Sequence, residues 1–429
     1  MKKILYVVLD GLGDLPCAEL RDRTPLDAAN TPHLDKLASK GQTGLLYPVG
    51  KEIAPESDVA VISLLGYDAR KHYTGRGPLE CYAAGLAVND GDLAYRVNFA
   101  TVDGKKIMDR RVGRNLTTEE AANLAKTINE TVRLTSYPAS FEFKSTVGHR
   151  GVLVIRSPEI KLSAAVTNTD PAYGKEGSFG VALSEFNNIV LDCKPIPGFE
   201  NKKEAQISAD LTNEFVEKSH QALEEDPVNK ERKKGGKLPA NIILIRDAGN
   251  KLPKFSPIGK AQNMKWGCFV EMPVEKGIAL LTGMKVLELP EATQYLSVDY
   301  SIRAKKVTEA LPDFDGLYIH LKGPDEPGHD GDPFTKKDII EAIDEYFFGT
   351  LIPQVKSKDV LIAVTADHST PCVLKAHSED PVPLLVVGAD GAMDSSSSFR
   401  ENECAKGSLG RIPGSKLLPY LIKLSRTNN

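Results

Sequence analysis

Four short apolar runs constrain the fold of this chain more than any other feature. They are Ile4 to Leu9, Gly316 to Leu321, Val360 to Thr365 and Leu384 to Val387. Continuous apolar runs of this length are typical of strands covered on both faces, as in a parallel sheet. Between the second and third runs, Thr335 to Val355 has helical spacing, and Thr335 and Asp338 are spaced like a capping pair. The sequence therefore predicts an α/β sandwich with a mainly parallel sheet.

Side chains that can bind metal ions follow three of these runs. They are Asp10, Asp325, His329, Asp367, His368 and His377, and Ser57 is a seventh candidate elsewhere in the sequence. Sites in open α/β sheets form at the carboxyl ends of strands, where most of these residues lie. Asp and neutral His are common ligands of divalent transition metals. Seven such groups suit two metal ions, and paired metal ions are suited to phosphoryl chemistry.

Ser57 has two interpretations. A serine hydroxyl is a weak nucleophile and needs a base or a metal ion to activate it. The sequence around Ser57 has no G-x-S-x-G motif, so we expect an activated Ser57 to attack phosphorus rather than a carbonyl carbon. Alternatively, Ser57 is the N-cap of a helix over residues 58–65. Both can hold, because a helix N-terminus favours a bound phosphate.

The middle of the chain has a different pattern. It contains predicted strands at Tyr95 to Val102 and Gly151 to Ile155, predicted helices at Thr117 to Val132 and around Ile207 to Leu223, and a solvated connection at Asp226 to Pro239. Asp10 and Ser57 can share a site with Asp367 only if the chain leaves the first domain and later returns. We therefore predict a catalytic domain made of residues 1–80 and 255–429, with a smaller α+β domain, residues 81–254, inserted into it.

Composition limits the kinds of partner and the cellular compartment that we expect for this protein. The net charge of -4 comes from 54 basic and 58 acidic residues without a polybasic segment, so nucleic acid and anionic membranes are poor candidates for partners. No apolar run approaches the ~18 residues that span a bilayer. The six cysteines are scattered, which favours reduced thiols in a cytoplasm. We expect a cytoplasmic protein that acts on a small molecule; its oligomeric state is open, with a homo-oligomer as one option.

Four motifs resemble those of one known family. They are Asp10-Gly-Leu-Gly-Asp14, Pro55-Glu-Ser-Asp-Val-Ala60, Lys322-Gly-Pro-Asp-Glu-Pro-Gly-His-Asp-Gly331 and Ala366-Asp-His-Ser-Thr-Pro-Cys372. The chain is similar along essentially its whole length to the archaeal-type, cofactor-independent phosphoglycerate mutases of the alkaline phosphatase superfamily. This resemblance implies an alkaline-phosphatase-like three-layer α/β sandwich with an inserted domain, and an enzyme that does not require 2,3-bisphosphoglycerate.

The resemblance also implies roles for the candidate residues. Ser57 would be the nucleophile that becomes phosphoserine. One metal ion would be bound by Asp10, Ser57, Asp367 and His368, and the other by Asp325, His329 and His377. Mn²⁺ is the preferred ion, and Zn²⁺, Co²⁺ and Mg²⁺ are alternatives.

The resemblance implies that basic groups of the inserted domain bind the glycerate and the phosphate, because a guanidinium suits bidentate contacts with carboxylate or phosphate. The candidates are Arg110, Arg111, Arg114, His149, Arg246 and Lys276. Asp170 is the candidate for moving protons to and from the glycerate hydroxyls.

The expected reaction is the interconversion of 3-phosphoglycerate and 2-phosphoglycerate, with the inserted domain excluding water from the intermediate. The first alternative is a metal-dependent phosphatase or a phosphodiesterase/pyrophosphatase of the same superfamily, in which water takes the second step. The second alternative is a non-catalytic, metal-binding regulatory module.

Overall fold

The chain forms two compact units in the computed structural model, which describes residues 1–176, 179–183, 185–293, 295–355, 359–388 and 393–426. The first unit consists of Met1–His72 and Phe255–Asn429, and the second of Tyr73–Lys254. The first crossing between them therefore lies before residue 80, the boundary expected from the sequence.

The strands of both units are numbered in chain order. They are β1 (Lys3–Leu9), β2 (Gly41–Tyr47), β3 (Leu93–Asp103), β4 (Lys106–Asp109), β5 (Ser140–Ser145), β6 (Arg150–Arg156), β7 (Tyr173–Glu176), β8 (Phe179–Ala182), β9 (Ile242–Gly249), β10 (Trp266–Phe269), β11 (Lys285–Val286), β12 (Gly316–Leu321), β13 (Val360–Thr365), β14 (Val382–Val387) and β15 (Gly410–Pro413).

The helices are numbered in the same way. They are α1 (Pro25–Ala28), α2 (Pro32–Ala38), α3 (Ser57–Leu64), α4 (Ala69–His72), α5 (Arg76–Ala83), α6 (Thr118–Thr131), α7 (Lys203–Glu224), α8 (Pro227–Lys234), α9 (Pro273–Leu281), α10 (Leu296–Ala310), α11 (Asp325–Asp330), α12 (Pro333–Ala342), α13 (Gly349–Leu351), α14 (Glu401–Cys404) and α15 (Gly414–Arg426). Within the described residues, none of these helices combines the length and the apolar character needed to cross a membrane.

A mainly parallel sheet forms the centre of the first unit. Its strand order is β11-β10-β12-β1-β13-β14-β2-β15, and only β14 runs antiparallel to its neighbours β13 and β2. Strands β12, β13 and β14 are buried along their whole length. The mainly parallel α/β fold predicted from the apolar runs is confirmed. Because β12, β1 and β13 are adjacent and parallel, their carboxyl ends lie side by side.

The second unit contains an antiparallel sheet. The strand order is β4-β3-β6-β5, and β9 also pairs with β3 in antiparallel orientation. Its core joins this sheet to α6 and α7 and includes Phe99, Leu124, Phe215 and Leu244. The predicted helix at Thr117 to Val132 is confirmed, since Thr117 and Glu120 form a capping box at the start of α6.

Two local predictions were wrong. The helix expected to begin at Thr335 begins at Pro333, because Asp332 accepts hydrogen bonds from the Phe334 and Thr335 amides and acts as the N-cap. The region at Asp226 to Pro239, expected to be a solvated connection, contains α8. Asp226 caps this helix with a hydrogen bond from the Val228 amide. A buried Arg232 fixes it by pairing with Glu120 at 2.7 Å.

Candidate active site

Three strand ends and one helix start place the candidate ligands of the first unit. Asp10 directly follows β1, Asp325 begins α11 shortly after β12, and Asp367 follows β13. Ser57 is the first residue of α3, whose N-cap is Glu56, so the expected N-cap role of Ser57 is wrong. Instead, the Ser57 hydroxyl lies 3.1 Å from Nε2 of His368.

An inner group surrounds Nε2 of His368. This nitrogen lies 3.2 Å from Oδ2 of Asp367 and 3.5 Å from Oδ1 of Asp10. The other oxygen of Asp367 accepts hydrogen bonds from the backbone amides of Gly11 and His368. These bonds fix the carboxylate with Oδ2 turned towards the histidine. Four of the predicted ligands, Asp10, Ser57, Asp367 and His368, are thus brought together.

An outer group is formed by the remaining three predicted ligands. Oδ1 of Asp325 lies 3.4 Å from Nε2 of His377 and 3.5 Å from Nε2 of His329. The two histidine Nε2 atoms are 3.1 Å apart, and the rings of His368 and His377 stack with their centroids 3.8 Å apart. The stacking places the outer group directly beside the inner group.

Nδ1 of each of the three histidines is hydrogen-bonded to a protein oxygen, so Nε2 is the nitrogen that would bind a metal ion. Nδ1 of His377 donates to the Pro55 carbonyl at 2.9 Å, and Nδ1 of His329 donates to the Lys375 carbonyl at 3.2 Å. Thr370 donates its hydroxyl proton to Asp325, so its oxygen accepts from Nδ1 of His368. In metal-binding histidines, one ring nitrogen usually donates to a protein oxygen and the other binds the metal ion.

Several polar atoms of the inner group are suited to binding a cation. Among the described residues, Oδ1 of Asp10 and Oδ2 of Asp367 are buried without a hydrogen-bond partner, although buried carboxylates normally have one. Burial favours a neutral His368, but the charge of Asp367 outweighs this and raises the pKa of His368 to about 9. A site this negative, with oxygen and nitrogen donors only a few ångströms apart, suits divalent metal ions.

Sequence reasoning missed three residues beside the inner group. His320, near the end of β12, was not among the predicted ligands, yet its Nε2 lies 3.5 Å from Asp367 and is buried without a hydrogen-bond partner in the described part of the chain. Lys322 forms an ion pair with Asp10 at 2.8 Å, and Glu275, on α9, pairs with Lys322. The signal for His320 and Lys322 was their position at the end of β12, which is adjacent to β1.

A second cluster of candidate residues lies in the second unit. Arg110 donates two hydrogen bonds to the buried Asp170, at 3.0 and 2.7 Å. The guanidinium of Arg246 lies 3.8 Å from the ring centroid of Tyr173 and 4.0 Å from Asp170. The structure thus brings together Arg110, Arg246 and Asp170, which were predicted to act on the same substrate.

This cluster also contains arginines that sequence reasoning missed. Arg96 on β3 stands directly opposite Arg246 on β9, and like charges in this position repel each other. Glu80 pairs with Arg76 at 2.7 Å and with Arg96 at 3.4 Å. In the described part of the chain, Nε and one terminal nitrogen of Arg246 are buried without a hydrogen-bond partner. Two opposed arginines with unsatisfied donors form a candidate anion site.

The pKa values in this cluster show that the local field is positive. Burial, followed by the charges of Arg246 and Arg76, lowers the pKa of Arg96 to about 10. Burial, followed by the charges of Arg150 and Arg111, lowers the pKa of His149 to about 4. His149 is therefore neutral near pH 7.

Three predicted basic residues are less closely tied to a site. Arg111 and Arg114 are exposed and lie on either side of Val112 and Gly113 in the turn after β4. Lys276 lies in the first unit rather than in the insert, with its side chain exposed on α9, whereas its neighbour Glu275 is buried beside the inner group.

The parallel sheet and its cluster of aspartates and histidines define an α/β protein with a site suited to divalent metal ions. A family model described as 2,3-bisphosphoglycerate-independent phosphoglycerate mutase matches residues 38–229. A protein of that name from Aeropyrum pernix is 41% identical over 98% of this chain and 99% of its own length. The chain belongs to this family, so the resemblance inferred from the motifs is confirmed.

Two solved structures are similar to this chain along almost its whole length. A protein from Pyrococcus horikoshii called PH0037 has a TM-score of 0.79 and 32% identity, and the match covers 100% of this chain and 98% of that protein. The cofactor-independent phosphoglycerate mutase of Thermoplasma acidophilum has a TM-score of 0.64 and 32% identity, with coverage of 99% and 100%.

Proposed function

We propose that this chain interconverts 3-phosphoglycerate and 2-phosphoglycerate through a phosphoserine at Ser57. The observation that carries the proposal is the position of the Ser57 hydroxyl, 3.1 Å from Nε2 of His368 within a cluster of three carboxylates and three histidines. A metal ion bound beside this hydroxyl would activate it for attack on phosphorus, so the proposal does not need a general base to activate the serine.

Two divalent metal ions fit the donor set. In this proposal Asp10, Ser57, Asp367 and His368 hold one ion, and Asp325, His329 and His377 hold the other. When bound, the ions would activate the serine hydroxyl and neutralise charge on the transferred phosphoryl group. We propose Mn²⁺ as the preferred ion, since imidazole and carboxylate donors are mixed, with Zn²⁺, Co²⁺ and Mg²⁺ as the ions to compare.

The chemical steps exchange one phosphate ester for another. Ser57 gives up its hydroxyl proton and its Oγ bonds to phosphorus as the bond between phosphorus and the glycerate oxygen breaks; that glycerate oxygen takes a proton. The other glycerate hydroxyl then loses its proton and takes the phosphoryl group back, and Ser57 Oγ regains a proton. We assign the proton transfers to Asp170, which Arg110 holds in a fixed orientation. Arg96 and Arg246 would hold anionic groups of the substrate.

The test is an assay of 3-phosphoglycerate conversion after chelation and re-addition of single metal ions, with free phosphate measured in parallel. We expect 2-phosphoglycerate to form without stoichiometric phosphate release and without added 2,3-bisphosphoglycerate. Phosphate release at the rate of any isomerisation would instead indicate a metal-dependent phosphatase.

Ser57→Ala isolates the phosphoserine step. We expect this variant to lose mutase activity and to show no phosphorylated peptide by mass spectrometry after incubation with substrate, while metal ions still bind. Ser63→Ala, on the same helix α3, is the matched control and keeps both signals. Full activity in Ser57→Ala would contradict the phosphoserine route. A cytoplasmic location remains part of the proposal and is supported by six free, buried cysteines.

A further inference from the structure

The carboxylate of Asp10 has two different environments. Its Oδ1 faces Nε2 of His368 at 3.5 Å, whereas its Oδ2 lies 2.8 Å from Nζ of Lys322. One oxygen therefore faces the inner metal-binding group and the other faces a lysine. The orientation of Asp10 in the inner group depends on what holds its second oxygen.

The Lys322 ammonium is held between two carboxylates. Besides Asp10, it contacts Oε1 of Glu275 at 2.5 Å, and the side chain of Glu275 is completely buried. Both N···O distances are those of short charge-assisted hydrogen bonds between an ammonium and a carboxylate.

The buried carboxylates around Lys322 require a positive charge close to them. Asp10, Glu275 and Asp367 have side chains that are at most 7% exposed, and His320 lies among them at 3.6 Å from Glu275 and 3.8 Å from Asp10. Buried carboxylates at such distances are stable only when a positive charge compensates them. The ammonium supplies that charge from within the chain, and the Tyr300 hydroxyl fixes the adjoining backbone by donating to the Lys322 carbonyl at 2.8 Å.

We propose that Lys322 is a built-in cation that occupies a third cation position, between Oδ2 of Asp10 and Oε1 of Glu275. Lys322 acts as a positioning residue: it holds Oδ2 of Asp10 and so keeps Oδ1 directed towards the metal ion of the inner group. Removal of the ammonium would leave two buried carboxylates that bind a free cation. The inference rests on the proposed function only in taking Asp10 as a metal ligand.

The first test counts bound ions. Equilibrium dialysis against Mn²⁺, with free Mn²⁺ measured by electron paramagnetic resonance, gives the number bound per chain. We expect Lys322→Ala to bind one more ion at saturation than the unmodified chain, and Lys322→Arg to bind the same number as the unmodified chain. Glu275→Gln added to Lys322→Ala should abolish the extra ion. Equal numbers in the unmodified chain and a folded Lys322→Ala would overturn the third position.

The second test separates positioning from packing, and it remains informative if Lys322→Ala does not fold. Lys322→Met keeps the length of the side chain but not its charge. We expect Lys322→Met to weaken Mn²⁺ binding by about 10- to 100-fold, as is typical when an outer-shell partner of a ligand is lost. Lys322→Arg should keep its affinity. Unchanged or tighter binding in Lys322→Met would refute the positioning role.

These measurements are independent of the proposed reaction. If the unmodified chain binds metal ions but fails to isomerise phosphoglycerate, the proposed function is wrong while the comparison between Lys322 variants still stands. If the unmodified chain isomerises phosphoglycerate but the Lys322 variants bind Mn²⁺ exactly as it does, only the inference about Lys322 is wrong.

Discussion

Lys336 joins the two loops that carry most of the inner metal-binding group. Its ammonium is fully buried and pairs with Asp14 at 2.7 Å. It also donates to the carbonyls of Gly13 at 3.1 Å and Thr370 at 2.9 Å. Gly13 follows Asp10 in the loop after β1, and Thr370 follows His368 in the loop after β13. Lys336 is thus expected to hold both loops in place.

Lys336→Met removes the charge and keeps the apolar stem. Removing one partner of a buried ion pair typically destabilises a protein by about 3–5 kcal/mol, since the remaining charge is left uncompensated. The Thr370 carbonyl, which loses the lysine as its donor, adds on the order of 1 kcal/mol where water cannot replace the lysine, whereas the Gly13 carbonyl still accepts from the Thr370 amide at 2.9 Å. Since these effects overlap, we expect a loss of about 4 kcal/mol in the free energy of unfolding of the first unit.

The assay is urea unfolding followed by fluorescence. The chain has one tryptophan, and Trp266 lies buried on β10 in the first unit, so its emission reports on that unit. Lys337→Met is the matched control, because the partners of Lys337 include the exposed Asp338, and we expect it to change stability by less than about 1 kcal/mol. A loss below about 1 kcal/mol in Lys336→Met would refute the reasoning.

Three further predictions concern other parts of the chain. Burial raises the pKa of Glu401 to about 7. The protonated carboxyl therefore contributes to stability at acidic pH, and this contribution is lost as the pH rises from the ordinary pKa of a glutamate to above 7. Glu401→Gln should therefore remove up to about 3 kcal/mol of pH dependence between pH 5 and pH 8 in the same urea assay, and an unchanged dependence would contradict this. Thr117→Ala should destabilise α6 by about 1 kcal/mol, seen as faster amide hydrogen exchange in that helix but not in α3. Arg246→Lys should raise KM for 3-phosphoglycerate by about tenfold or more, because an ammonium can neither stack on Tyr173 nor offer an anion two parallel N–H groups; an unchanged KM would remove Arg246 from the substrate site.

The sequence was most informative where strands end. Asp10, Asp367 and His368 could be placed in one site because the apolar runs before them predicted adjacent parallel strands, and the carboxyl ends of such strands meet at one edge. Ser57 was a candidate ligand before the family resemblance was considered, but its role as the nucleophile came only from that resemblance, since nothing in its local pattern distinguishes a nucleophile from a helix cap. Its observed position, one residue after the N-cap Glu56, depends on how α3 begins.

Other residues could not be found because their roles depend on partners from distant segments. Glu275 faces Lys322 only because α9 packs with one particular face inward, and the short sequence around it does not determine that rotation. Arg96 stands opposite Arg246 because β3 pairs with β9, more than a hundred residues later in the chain. For α8, in contrast, the start signal was present. Asp226 followed by Pro227 is a typical cap, but the run of charges after it was taken as a sign of a loop.

The order of strands in the first unit has a consequence for biosynthesis. β1 lies between β12 and β13, which a ribosome produces more than three hundred residues later. The nascent N-terminal segment therefore has no neighbours with which to pair during most of translation, whereas the insert is a single continuous segment and can complete its own sheet earlier. We expect stalled nascent chains ending near residue 290 to contain a protease-resistant insert and a protease-sensitive N-terminus.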